Sequence, residues 1–265
     1  MPKKTDLVTS TPQKYNLDFI DVNLPTVNNK HLFGWYIQNK SQNKAPSIVF
    51  MHGWGGSVSS LLPFAPLFHS LGFNILILDG SNHGASDYHG PSSMKQFAVD
   101  IEYAMNWLAK QENVLNKELY VLGHSNASAA AILLATKLDI KGIICLSSFL
   151  NTKNLLNAWM VNKSKLSNYI SRLIVIQLMQ LYTRCHYDSI APFNTILDVR
   201  CPILFVHGDN DYLTKTSDIS LLVKKSSHEL SDLINVPSAG HDSILKFKNK
   251  ASDRIARFIQ STIKQ

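Results

Sequence analysis

The sequence predicts an α/β fold in which a mostly parallel sheet carries helices on both faces. Three observations carry that prediction. From residue 47 onward, short β-branched apolar runs alternate with segments of helical period. One of the apolar runs, 119–122, passes through Gly123-His124-Ser125-Asn126-Ala127 straight into an Ala-rich helix. After the run ending near Leu146, the next begins only at Pro202, and the residues between them far exceed what a crossover needs.

Residues 15–24 alternate in places and read as a strand; 31–38 read as a second, after the turn-like Asn28-Asn29. Residues 47–51, 74–78, 119–122, 142–146 and 202–206 are continuous apolar runs, as expected of strands buried on both faces of a parallel sheet. Residues 233–236 form a weaker candidate. Helical period appears over 57–71, where Pro63 and Pro66 must bend or shorten the helix. It is clearest over 92–110, with Phe97, Ile101, Ala104, Met105 and Leu108 on one face, and it recurs over 125–138 and 243–263. The long interval reads as two helices, 151–161 and 166–182, then a loop through Pro192. The expected organisation is therefore a core domain of residues 1–147 and 201–265 with a helical cap insertion at 148–200. Trp159, Met160, Ile176 and Met179, with Leu173 and Leu181, either line a substrate cleft or glue the cap to the sheet.

Apolar residues make up 45% of the chain and charged ones 17%, enough to bury a full core and too apolar for disorder. The net charge of +7 is spread thinly, with Lys-rich spots at Lys3-Lys4, Lys224-Lys225 and Lys246 to Lys250. No basic stretch is interleaved with aromatics, so the charge reads as a solvated surface and not as a nucleic-acid or anionic-membrane platform. Cys145, Cys185 and Cys201 are an odd, widely spaced set that forms neither a disulfide framework nor a metal signature. Buried thiols in a reducing compartment are expected. The basic N-terminus has no apolar run behind it, so no secretory signal is visible and a cytoplasmic location is expected. The most apolar stretch, 173–181, is too short to span a bilayer, so no integral membrane segment is expected. No feature bears on oligomeric state.

A serine on a sharp strand-to-helix turn exposes its hydroxyl above the sheet edge, beside the N–H groups and positive dipole end of the helix. That makes Ser125 the candidate nucleophile. A serine needs a base, and the base needs an acid to hold its tautomer. Downstream, His241 lies in the turn-rich Pro237-Ser-Ala-Gly-His-Asp-Ser between the last strand and the last helix. It is a better-placed base than His186, His207 or His228. For the acid, the run 202–206 leads into His207-Gly-Asp209-Asn-Asp211, and Asp211 is favoured over Asp209, which suits a bond to loop backbone. Upstream, His52-Gly-Trp54-Gly-Gly56 follows another strand. There the Trp54 N–H, with that of Asn126, can form an oxyanion hole. The side chains of His52 and Trp54 are expected to shape the pocket.

The runs His52-Gly-Trp-Gly-Gly, Asp79-Gly-Ser-Asn-His-Gly-Ala-Ser86, Gly123-His-Ser-Asn-Ala, His207-Gly-Asp-Asn-Asp211 and Gly240-His241, in this order, resemble the α/β-hydrolase superfamily over nearly the whole chain. The resemblance implies an eight-stranded sheet with a helical cap after strand six, scaffold roles for His83 and Ser86, and activity without a cofactor. The motif style is most similar to carboxylesterases and lipases. A small-molecule ester is thus the expected substrate, cleaved through an acyl-enzyme, with no metal and no nucleic-acid partner. Thioesterase, aminopeptidase or C–C bond hydrolase chemistry uses the same three residues, and a non-catalytic binding protein can share the fold. Ala127 stands where the family often has glycine, and Asn126 where many members carry a larger side chain. The stretch from Asn151 to Tyr187 contains no Asp or Glu, which argues against a cationic substrate, while Lys153, Lys163, Lys165 and Arg172 leave room for an anionic one.

Overall fold

A computed structural model of the chain describes residues 10–162 and 168–263. The Lys3-Lys4 spot, and Lys163, Lys165 and Leu166 of the long interval, lie outside the described residues. Eight strands form one sheet: β1 (Ile20–Pro25), β2 (His31–Ile37), β3 (Ala45–Met51), β4 (Asn74–Leu78), β5 (Val114–His124), β6 (Gly142–Leu146), β7 (Ile203–Gly208) and β8 (Asp232–Val236). Their order is β1-β2-β4-β3-β5-β6-β7-β8. β2 pairs antiparallel with both of its neighbours, and every pair from β4 to β8 is parallel. The helices are α1 (Ala65–Ser70), α2 (Met94–Leu108), α3 (Asn126–Leu134), α4 (Thr152–Asn162), α5 (Tyr169–Thr183), α6 (Pro192–Thr195), α7 (Thr216–Lys225) and α8 (Ile244–Ile263).

Side-chain alternation along the central strands feeds two cores, one on each face. Val49, Met51, Val121, Ile143 and Phe205 pack with α2 and α3 on one side. Ile48, Phe50, Leu122, Ile144 and Val206 pack with α1 and α8 on the other. α8 buries Phe247, Ala251, Ile255, Phe258 and Ile259, a helical stripe facing the sheet. Each such large side chain contributes about 1.5–3 kcal/mol when fully buried. The register aligns Met51, Gly123 and Cys145 across β3, β5 and β6. Loops leaving the carboxyl ends of these strands therefore meet at one edge, where ligand sites in parallel sheets gather.

Several element bounds differ from the sequence expectation, each for a local reason. Residues 15–19 are not strand: Pro12 opens a 3₁₀ turn (Pro12–Tyr15) that ends at Asn16 in the left-handed region, φ 56°. The expected helix over 57–71 is two 3₁₀ turns followed by the short α1. Pro63 and Pro66 each lack the N–H that a continuous helix would need there. β5 starts earlier than expected, at Val114, and α3 stops sooner, at Leu134. Pro202 precedes β7 and is not part of it, and the strand runs on to Gly208. α7 is not among the helices expected above, although its buried Ile219 and Leu222 stand at helical spacing. The long interval contains α4, α5 and the short α6.

Candidate active site

Ser125 sits between β5 and α3 with φ 51° and ψ −114°, a backbone conformation that costs of order 1–3 kcal/mol for a residue with a side chain. The surroundings impose it. The Ser125 N–H donates to the Leu146 carbonyl at 2.8 Å, and the Ser125 carbonyl accepts from the Ser128 and Ala129 N–H groups. Such a turn works only if the chain around it is thin. A Cβ on Gly123 would stand 2.7 Å from backbone atoms of Ala127 and Ser128. One on Gly53, in the loop after β3, would stand 2.8 Å from His124 Nδ1 and 3.1 Å from Ser125 Cβ. Ala127 itself is fully buried, so its methyl is accommodated in the α2–α3 core.

The Ser125 hydroxyl lies 2.8 Å from His241 Nε2, and His241 Nδ1 lies 2.7 Å from Asp211 Oδ2. All three residues are buried. Asp211 is locked by its own loop: Oδ1 accepts from the Leu213 and Thr214 N–H groups at 2.8 and 3.1 Å, and Oδ2 also accepts from the Thr214 hydroxyl at 3.0 Å. Burial alone would raise its pKa. The hydrogen bond and charge of His241, with the Leu213 N–H, outweigh that and hold the carboxyl below its ordinary value. Asp209 instead accepts from the Ser238 N–H at 2.6 Å. The His241 carbonyl accepts from the Ser147 hydroxyl at 2.7 Å and from His124 Nε2 at 2.9 Å. Ser147 and His124 thus hold the loop that carries the imidazole, and sequence reasoning missed both. Their one signal was position, since each stands where a parallel strand ends.

Of the other downstream histidines, His207 comes near this line, its Nε2 3.9 Å from Asp211 Oδ2. His186 is exposed, His228 lies beyond the end of α7, and His207 is buried with Nε2 donating to the Thr214 carbonyl at 3.2 Å. His83 and Ser86 bind backbone: His83 Nε2 accepts from the Gly55 N–H at 3.0 Å, and the Ser86 hydroxyl donates to the Asp79 carbonyl at 2.6 Å. Among the described residues no protein acceptor meets the N–H of Trp54 or of Asn126, and both residues line the same pocket as Ser125.

That pocket has a volume of about 570 Å³. Its walls are largely apolar, with Trp54, Tyr88, Leu155, Leu156 and Val175 among them. Of the residues expected to contact a substrate, Trp159, Met160 and Met179 line it. His52 does not: it is buried beneath the loop, Nε2 accepting from the Gly80 N–H at 3.0 Å and Nδ1 donating to the Gly53 carbonyl at 2.6 Å. Ile176 does not either, because it packs with Met160 and Tyr187 inside the α4–α5 segment. Leu173 and Leu181 point to solvent. Lys153 pairs with Asp188, which removes it as a ready partner for an anionic substrate. The buried Thr152 Oγ1 and Ser92 Oγ on the wall have no hydrogen-bond partner among the described residues and are polar points in a largely apolar surface. His124, His241 and Asp242 bring ligand atoms within 4.8 Å of one another. The ring nitrogens of His241 are both engaged with Asp211 and Ser125, and His124 Nε2 is engaged with the His241 carbonyl, so the set is not arranged as a metal centre.

Buried imidazoles make acid stability a measurable property of this architecture. Burial lowers His52 to about 3 and His124 to about 4, the latter helped by the neighbouring His241. Burial lowers His83 and His207 as well. Below 6.5, the ordinary histidine value, the unfolded chain takes up protons that the folded chain refuses. Unfolding free energy therefore rises with pH, and stability is lost as pH falls from 6.5 toward the folded values. His52 and His124 together cost about 3 kcal/mol per pH unit in that window, at about 1.4 each. Urea unfolding at about pH 7 and about pH 5 is expected to show this drop. Burial raises the Asp79 and Asp100 carboxyls, which works in the opposite sense, so equal stabilities would mean that these offset the histidines or that the imidazoles are hydrated.

A family model described as serine aminopeptidase, S33, matches residues 42–190, more than half of the chain. The chain belongs to this family of α/β-hydrolases. An uncharacterised protein of Mycobacterium tuberculosis is 27% identical to this hydrolase over 243 residues, covering 91% of this chain and 79% of that protein. Protein bem46 of Schizosaccharomyces pombe is 23% identical over 217 residues, covering 80% and 67% respectively. Among solved structures, the Pyrococcus furiosus esterase Pf2001 superposes with a TM-score of 0.78 at 20% identity, covering 98% of this chain and 99% of that one. Est1E of Butyrivibrio proteoclasticus, solved with ferulic acid bound, superposes with a TM-score of 0.74 at 16% identity, covering 92% and 100%. At these identities the two structures speak for the α/β-hydrolase fold.

Proposed function

We propose that this α/β-hydrolase cleaves carboxylic esters of small molecules by nucleophilic catalysis at Ser125. One observation carries the reading: the unbroken line Ser125 Oγ–His241–Asp211 opens onto an apolar pocket. Asp211 accepts a hydrogen bond from Nδ1–H of His241, which leaves Nε2 free to take the proton of Ser125 Oγ. The alkoxide attacks the ester carbonyl, and the N–H groups of Trp54 and Asn126 receive the developing oxyanion. His241 returns its proton to the departing alcohol as the acyl-enzyme forms. Water activated by the same imidazole then releases the acid. The segment 148–200 acts as a cap that supplies Trp159, Met160 and Met179 to the acyl or alcohol side. We infer a cytoplasmic location, in keeping with three unpaired, buried cysteines.

The same line of residues also serves amide hydrolysis, and the family's description names an aminopeptidase. Recognition of a free amine separates the two reactions. Asp242 is the one carboxylate among the described residues lining the pocket, and residues 151–187 contain none, so the ester reading is favoured. The test is a panel of p-nitrophenyl esters, thioesters and aminoacyl p-nitroanilides, with fluorophosphonate labelling alongside. Ester turnover by the wild type and not by His241→Ala is the expected result. Turnover confined to aminoacyl anilides would move the assignment to the peptidase. No turnover and no labelling would leave a binding protein built on a hydrolase fold.

A further inference from the structure

We propose that the outer face of α5 docks this protein onto an anionic lipid surface. α5 is apolar on two sides. Its inner side carries the buried Ile176, with Val175 and Met179 on the pocket wall. Its outer side carries Ile170, Leu173, Ile174, Leu178 and Leu181, spaced as one helical stripe and exposed from 42% at Leu173 to 75% at Leu181. A contiguous exposed stripe of this kind, unlike scattered surface leucines, marks an interaction face. It continues to the mouth of the pocket through Tyr182, which is 66% exposed and also lines the cavity. Trp54 and Trp159, edge to face at 6.2 Å, stand at the same mouth, both exposed. Amphipathic aromatic rings suit the headgroup level of a bilayer.

Charge selects the occupant. Residues 151–187 contain no Asp or Glu, and basic residues flank α5 in the sequence, Lys163 and Lys165 before it and Arg184 after it, while Lys153 is taken up by Asp188 and Arg172 by Asn157. A second copy docking through this stripe would add a second set of these basic residues, with no carboxylate in residues 151–187 to offset them. A bilayer with anionic headgroups offers apolar depth to the leucines and negative charge to the basic residues together. No helix among the described residues is long and apolar enough to cross a membrane, so α5 would lie in the interface. The sequence reading of a merely solvated basic surface did not include this stripe, because its exposure is a tertiary fact.

Vesicle cosedimentation tests the proposal without any need for turnover, so a failure of the proposed reaction would leave it standing. The wild-type protein is expected to pellet with equimolar phosphatidylcholine–phosphatidylglycerol vesicles, and less with phosphatidylcholine alone or in high salt. Leu178→Gln/Leu181→Gln, which touches no pocket residue, is expected to weaken pelleting at least about tenfold while helix content by circular dichroism stays unchanged. Absence of pelleting by the wild type, equal pelleting with both lipids, or equal pelleting by the variant would each overturn it. So would a wild-type dimer in ultracentrifugation that the variant turns into a monomer, since the face would then belong to a second copy.

Discussion

Ser125→Ala is expected to lower kcat for a p-nitrophenyl ester by about a million-fold and to abolish fluorophosphonate labelling, with KM little changed. The substitution deletes one oxygen whose hydrogen bond runs to His241 and leaves the turn intact, because the turn is held by backbone bonds of residue 125. The pocket and the Trp54 and Asn126 N–H groups remain, so substrate still binds and a residual rate above water persists. His241→Ala should cost about as much, and Ser125→Ala/His241→Ala should cost no more than either alone, because the two groups act as one unit. Labelling that persists in Ser125→Ala would remove Ser125 as nucleophile. Additive losses in the double variant would separate it from His241.

Asp211→Asn is the second large effect, about ten-thousand-fold in kcat. The loop determines how the new side chain sits. Oδ1 accepts from the Leu213 and Thr214 N–H groups, so the amide must leave its carbonyl oxygen there and turn its NH₂ toward His241 Nδ1. A donor facing Nδ1 forces the imidazole proton onto Nε2, which can then no longer accept from Ser125. The protein should fold normally and show nearly unchanged substrate affinity, which thermal unfolding and the split between kcat and KM would check. A variant within tenfold of wild type would show that Asp211 does not set the tautomer. In the wild type the carboxyl is held below its ordinary value, so Asp211 stays ionised through the neutral range. Its contribution to stability is fully present above the ordinary 3.8 and is lost only as pH falls through the still lower folded value. Acid loss at milder pH therefore belongs to the buried histidines.

Much of this was legible in the residues because it is local. Continuous apolar runs such as 74–78 and 142–146 are strands with the expected bounds, since a strand buried on both faces has no polar side to blur it. The turn at Ser125 announced itself through small residues packed between a strand and a helix. The order Ser125, Asp211, His241 could be read because each stands where an element ends. Bounds failed where one residue overrode a pattern, as Pro63 and Pro66 do before α1.

By itself, then, the sequence determined the layers of the fold, singled out Ser125 and His241, and narrowed the partner of His241 to two aspartates, with Asp211 favoured. Tertiary structure decided which of two neighbouring aspartates faces His241: both follow Gly208, and only the path of the loop back to Thr214 separates them. It also turned His52 away from the pocket into backbone bonds that no local pattern encodes. Above all, it decided which side of α5 meets the substrate cavity. Helical period tells inside from outside only when one face is polar. α5 is apolar on both, so packing against α4 sent Ile176 inward and Met179 to the cavity wall, and left Leu178 and Leu181 exposed.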